Sequence, residues 1–290
     1  PEFTAFNQTV TTLFSEWKAA NTPLLTGIQQ GDRPKALIET FAESLLKTFR
    51  SGEAIASLID PYGVYQHLMD YWDETMQDDA WMIVSDGWKA LQAGKPNMDL
   101  IPPALIVARY FAAEQAVIEQ REAERDAISR QMEEMDEEHG GEDGLLADAK
   151  NDKGKLTKAS VKARQAEIKR DKEAADERKL LDAYAELIEQ EAAAGKKVKD
   201  AQKALDAKVA AKYAKLTEAE IKTLVVDDKW LAALAASVQG ELDRVSQALT
   251  GRIKQLAERY ATPMPRMAGE VETLAARVDD HLKKMGFVWQ

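Results

Sequence analysis

The chain contains no cysteine, which excludes disulfides and thiolate metal sites and fits a reducing cytoplasm. Histidine is nearly as scarce: His67, His139 and His281 are the only three, and none has a supporting catalytic context. His67 sits among aromatics and reads as a packed helix histidine, His139 lies in an acidic stretch, and His281 lies on a lysine-rich face. No run approaches the roughly 18 apolar residues that a membrane helix needs, and no basic-then-apolar leader opens the sequence. Gly-x-Gly-x-x-Gly fingerprints, Gly-Lys-Ser/Thr phosphate loops and His-Glu-x-x-His are all missing. Positive charge is also in deficit, with 39 Lys/Arg against 50 Asp/Glu and a net charge of −11. That balance argues against wholesale coating of nucleic acid, which needs dense Lys/Arg to replace phosphate counterions, and leaves open only a local basic patch. The sequence opens Pro1-Glu2-Phe3 without methionine, as expected of a fragment of a longer polypeptide.

What is present is helical periodicity. With 45% apolar residues in 290, the chain can bury a core, and the patterning predicts a mainly α protein. Three regions are expected: a small helical domain over residues 1–100, a long antiparallel helical hairpin over 101–215, and coiled-coil-like helices over 216–290. In the first, Phe6, Val10, Leu13, Phe14 and Trp17 share a helical face that Asn21-Thr22-Pro23 is expected to end. Asp32 and Pro34 then launch a second helix carrying Leu37, Ile38, Phe41, Leu45 and Leu46. Beyond Asp60-Pro61 comes an aromatic stripe, Tyr62, Tyr65, Leu68, Met69 and Trp72, of the kind that fills a core. The carboxylates Asp70, Asp73, Glu74, Asp78 and Asp79 spread around one helix end and read as a solvated acidic surface rather than a metal site. Residues 80–84 read as a short strand or a buried turn, and 88–99 as a linker.

The hairpin region is sorted by charge. Residues 111–145 hold 12 acidic and 3 basic side chains, whereas 146–215 hold 13 and 18. Two oppositely charged helices joined near His139-Gly140-Gly141 fit this pattern. The first starts after Pro102-Pro103, where prolines are tolerated, and its distal end should be mostly wet. Residues 148–157 read as polar loop, and Gly195 is expected to break the return helix. Nine basic residues cluster in the return arm: Lys150, Lys153, Lys155, Lys158, Lys162, Arg164, Lys169, Arg170 and Lys172. Pairing with the acidic arm and solvent is one reading of them, and contact with a DNA phosphate backbone is the other.

Thr217 and Glu220 form a capping box for a short helix through Leu224. From Asp228 runs the most regular stripe in the chain: Leu231, Leu234, Val238, Leu242, Val245, Leu249, Ile253, Leu256 and Tyr260. Every step is three or four residues, the signature of a coiled-coil or bundle seam. After Thr262-Pro263-Met264-Pro265 the pattern recurs in a last helix through Met267, Val271, Leu274, Val278, Leu282 and Met285. Two such helices in tandem expose more apolar stripe than they can cover themselves. The seam fits a subunit interface, with packing on the last helix as the intramolecular alternative.

Two stretches carry a family resemblance. Leu58-Ile59-Asp60-Pro61-Tyr62-Gly63-Val64-Tyr65-Gln66-His67-Leu68-Met69-Asp70-Tyr71-Trp72, continuing through Met76-Gln77-Asp78-Asp79, resembles the segment following the catalytic domain in modification (methyltransferase) subunits of type I restriction-modification systems. The tail from Lys215-Leu216-Thr217-Glu218-Ala219-Glu220-Ile221-Lys222-Thr223-Leu224 to Trp230, with Lys283-Lys284-Met285-Gly286-Phe287-Val288-Trp289, is similar to the same family, and the likeness covers most of the chain beyond about Gly31. The resemblance implies a parent that methylates adenine N6 in DNA with S-adenosylmethionine, in complex with a specificity subunit that reads the target and with a restriction subunit that can join. It also implies that C-terminal helices of the modification subunit pack on paired helices of the specificity subunit. The family's glycine-containing cofactor motif and its Asn-Pro-Pro-Phe/Tyr motif, which holds a flipped adenine, are both missing. The only Pro-Pro is Pro102-Pro103, after Ile101 and before Ala104. The chain therefore resembles a non-catalytic C-terminal part, with no catalytic, cofactor or metal residue to carry over. A DNA-backbone-binding hairpin and an independent coiled-coil scaffold are the competing readings.

Overall fold

The structure, a computed structural model, describes residues 2–51, 59–171, 173–261 and 264–287. Leu58, Lys172, Thr262, Pro263, Val288 and Trp289, singled out in the sequence, lie outside the described residues. The chain is mainly α, and its only strands among the described residues are Leu91–Gln92 and Lys95–Pro96, paired antiparallel. It divides into two compact units: residues 1–85 with 229–290, and residues 86–228.

The first unit begins with α1 (Glu2–Thr26) and α2 (Pro34–Ser51), which pack on each other. Trp17 stacks at 4.7 Å from Phe41 and 5.4 Å from Phe14, and Val10, Leu25 and Phe49 are fully buried. α1 runs a turn beyond the stop expected at Pro23. A proline removes one N–H donor from the ladder, and that loss is small so close to the C-terminus, where Gly27 closes onto the Pro23 carbonyl at 2.9 Å. α3 (Pro61–Tyr71) is capped by the Asp60 side chain, which accepts from the Tyr62 amide. A widened π turn (Trp72–Met76) joins it to α4 (Gln77–Asp86). The apolar run at 80–84 is therefore helix, not strand, its Ala80, Ile83 and Val84 facing the core.

One sequence expectation is overturned here. Asp79, read as part of a solvated acidic face, is 2% exposed. Its carboxylate accepts from Lys229 Nζ and from Trp230 Nε1, both at 2.8 Å. Burial pushes the Asp79 carboxyl above its ordinary value, while the Lys229 and Trp230 hydrogen bonds hold it back. The adjacent Tyr71 hydroxyl, raised by burial and then by the Asp79 charge, donates to the Lys229 carbonyl at 3.4 Å. The lysine and the tryptophan lie in a second π stretch (Thr223–Leu231), which continues without a break into α10 (Ala232–Arg259).

The second unit contains the hairpin. Its first arm is interrupted at Phe111, whose backbone leaves the helical region and separates α5 (Pro103–Tyr110) from α6 (Ala112–His139). The return arm is α8 (Ala175–Tyr213), about 58 Å long at 1.5 Å per residue. Antiparallel register is fixed by cross-contacts: Glu114 pairs with Lys208 at 2.9 Å, Arg121 donates to the Lys197 carbonyl, and Ser129 donates to Glu191. Helix α8 passes through Gly195 rather than breaking there. A mid-helix glycine costs only about 1 kcal/mol, and α8 packs along α6 through this region.

The distal turns of α6 hold no buried residue, as expected of a wet end, but the segments beyond them build a small core against it. Leu146, Ala149, Val161, Ile168, Leu181 and Tyr184 form a small core that Met132 and Met135 of α6 border. It is closed by α7 (Lys158–Glu167), capped by a reciprocal Thr157–Ser160 box. Arg164 pairs with Glu177 at 2.6 Å and Asp148 at 3.0 Å. At the base, α9 (Glu218–Lys222) starts with the expected Thr217–Glu220 capping box. Glu220 also takes Lys212 at 2.7 Å and the Tyr110 hydroxyl at 3.1 Å. Lys212, then the Thr217 amide and hydroxyl, lower its carboxyl to about 2.

Two outcomes follow from these polar centres. Asp79→Ala leaves the Lys229 ammonium buried without its counter-charge and is expected to cost about 3–5 kcal/mol in urea denaturation, with Lys229→Met in the same chain recovering part of the loss. Glu220 has a depressed pKa, so its stabilisation is complete above the ordinary 4.5 and is lost as pH falls toward about 2. Thermal melts across that window should show a smaller acid loss in Glu220→Gln than in the unsubstituted chain.

Candidate partner-docking surface

The nine seam residues fall into two sets along α10 and the turn before it. Leu231, Leu234, Val238, Leu242 and Val245 are buried, and this half of the helix packs on α3 and α1. The seam then continues in register into water: Leu249 is 38% exposed, Ile253 66%, Leu256 37% and Tyr260 63%. The changeover lies between Val245 and Leu249, one helical turn apart.

A polar clasp holds the buried half. Glu241, on α10, accepts from His67 of α3 at 3.2 Å and from Arg244 at 2.7 Å. Arg244 and then His67 lower its carboxyl, against the opposing effect of burial. His67 is thus a polar partner of the seam helix, with its side chain 39% exposed. With Asp79 gripping Lys229 and Trp230 before it, the start of α10 is anchored at two levels.

The exposed half is amphipathic. Arg252, Lys254 and Arg259 stand against Glu258 on its polar faces, three positive charges to one negative. Each aliphatic side chain such as Ile253 or Leu256 offers about 1.5–3 kcal/mol on complete burial. The following helix, α11 (Met264–Lys284), has no buried residue. Its Met267, Val271, Leu274 and Val278 are all about half exposed or more, so the intramolecular alternative, a seam covered by α11, is not what these exposures describe.

The basic cluster is less uniform than its sequence suggests. Lys150 is spent on Asp136 at 2.7 Å and Arg164 on its acidic neighbours, while Lys158 makes an exposed pair with Glu189 at 3.4 Å. Lys153, Lys155, Lys162, Lys169 and Arg170 are exposed, and Lys172 lies outside the described residues. The cluster therefore supplies both internal pairs and solvated charge. Among the described residues are a groove of about 270 Å³ lined by Leu24, Ile28, Leu37 and Val84, with Asp32 and Arg33 its charged members, one of about 390 Å³ between Val117 and Ala204, and a more polar one of about 240 Å³ lined by Arg121, Glu124, Gln190 and Lys197.

Sequence reasoning found every residue of the stripe but not where it goes under cover. The Asp79 contact that fixes the start of the helix was missed, because its partners are 150 residues away. The adjacent Lys229-Trp230 at the head of the stripe, a polar pair entering an apolar run, was the only local hint. No protein-family model, curated protein or solved structure matches this chain.

The division of the stripe has a direct consequence for stability. Leu234→Ala is expected to cost about 2–5 kcal/mol, whereas Ile253→Ala should stay within about 0.5 kcal/mol. Urea denaturation of the two variants side by side measures the difference.

Proposed function

We propose that this chain is a non-catalytic assembly module, the C-terminal region of the modification subunit of a type I restriction-modification system. The distal half of α10 docks on paired helices of the specificity subunit and thereby places the parent methyltransferase on DNA. The observation that carries the reading is the unbroken register of the seam from Val245, buried in its own unit, to Leu249, Ile253, Leu256 and Tyr260 in solvent. A helix whose apolar stripe outruns its own core is stabilised by a partner helix pair that continues the packing. The resemblance of residues 58–79 and 215–230, with 283–289, to that family supplies the identity of the partner. The hydrogen bonds from Lys229 and Trp230 to Asp79 give those two distant segments a shared physical task.

On this reading, adenine N6 methylation with S-adenosylmethionine belongs to the parent's catalytic domain, and this chain's residues supply position. DNA enters through the assembled complex, with the specificity subunit selecting the sequence and the restriction subunit able to join it. The chain's own contribution is steric and electrostatic: a rigidly anchored helix with basic flanks that meets acidic flanks on its partner.

Co-expression with the system's specificity subunit tests the proposal. The unsubstituted chain should co-purify with it, and Leu249→Asp combined with Ile253→Asp should abolish recovery of the complex while the melting curve of the isolated chain is unchanged. Undiminished co-purification of the double variant would refute docking through this stripe.

A further inference from the structure

Helix α11 has a second unpartnered stripe, and its charges are arranged for a partner of its own kind. We infer that α11 pairs antiparallel with α11 of a second copy of this chain, a contact independent of the α10 docking proposed above. Written as heptads, Met264, Val271, Val278 and Met285 occupy one core position, and Met267, Leu274 and His281 the other. In an antiparallel pair with a two-fold axis between Val271 and Leu274, each core layer closes on its symmetry mate. Val271 faces Leu274, Met267 faces Val278, and Met264 faces His281, each contact made twice, as an isologous interface requires.

The flanking positions then decide between this pairing and an arbitrary apolar contact. On one side of the seam Glu270 of one helix falls beside Arg277 of the other, and the two-fold repeats the pair with the roles exchanged. On the other side Ala268 meets Ala275, so the helices can approach closely. Both charged residues are exposed, and Arg277 has no ion pair among the described residues. Glu270 holds only an exposed intrahelical contact with Arg266 at 3.3 Å, which is weak enough to be shared or exchanged. A parallel pairing would lose this match, since its flanking contacts would join Glu270 and Arg277 to alanine and leucine positions. The helix is 21 residues long, three heptads, which makes for a small interface and an association in the micromolar class.

Sedimentation equilibrium of the full 290-residue chain across the micromolar range is the test, with circular dichroism to confirm unchanged helix content. The mass should rise from 32.2 kDa to twice that value. Glu270→Arg creates two Arg–Arg contacts per dimer and Arg277→Glu two Glu–Glu contacts, and each should weaken the dimer by about tenfold or more. The double swap, Glu270→Arg with Arg277→Glu, restores complementarity and should recover the association. A chain that stays monomeric at every concentration overturns the inference, and so does a dimer indifferent to both single swaps or one that the double swap fails to restore. Loss of the dimer on Leu249→Asp alone would move the contact to α10 and equally overturn it.

Discussion

The buried carboxylate of Asp79 is the constraint on which the arrangement of the first unit turns. A charged group at 2% exposure is tolerated only when its hydrogen-bonding capacity is filled, and here an ammonium and an indole N–H fill it from a segment 150 residues further along. The consequence reaches beyond the pair. Lys229 and Trp230 lie in the last turn and a half before α10, so fixing them fixes where the long helix starts and which face it presents to α3. Glu241, held between His67 and Arg244, repeats the restraint three turns later. Between these two levels the seam has no freedom to slip, and the residues beyond Val245 are carried outward in phase.

The seam illustrates how an apolar pattern and its burial separate. A nine-member stripe at steps of three and four is uniform in sequence, yet five members are in the core and four are in water. Hydrophobic burial is not directional, so nothing in the stripe itself marks the boundary. The neighbouring helices do: packing on α3 and α1 accompanies burial only as far as Val245. The same logic makes α11 conspicuous, a helix with one apolar face and no buried residue. Exposed apolar surface of this extent is uncommon on monomers and marks contact surfaces.

The second unit follows a different principle, in which charge sorts the arms and a local core finishes them. Cross-pairs such as Glu114 with Lys208 set the antiparallel register but are exposed and contribute little each. The end of the hairpin is held instead by Leu146, Val161, Ile168 and Leu181, brought together by a capped helix and short turns. At the base, Tyr213, its hydroxyl pushed up to about 12 by burial, donates to the Ile101 carbonyl at 2.5 Å, and Arg109 grips Asp228 through two nitrogens.

Helix positions, caps and the seam were legible in the amino-acid order because each rests on contacts within a few residues: Asp60 and Thr217 at their N-termini, the three-four spacing from Leu231 to Tyr260, Gly140 closing α6. Pro23 and Gly195 misled for the same reason, since their local costs are small enough for tertiary packing to override. Segment 80–84 was ambiguous because five apolar residues suit a strand and a buried helix equally. By itself, then, the sequence determined an α-helical chain with charge-sorted arms and a continuous apolar seam, all properties of nearest neighbours along the chain. Only the tertiary structure decided that residues near both ends form one unit, that Asp79 is a buried anchor rather than a solvated acid, and that half of the seam stays exposed to solvent. Those outcomes depend on which distant surfaces meet, and local spacing carries no record of that.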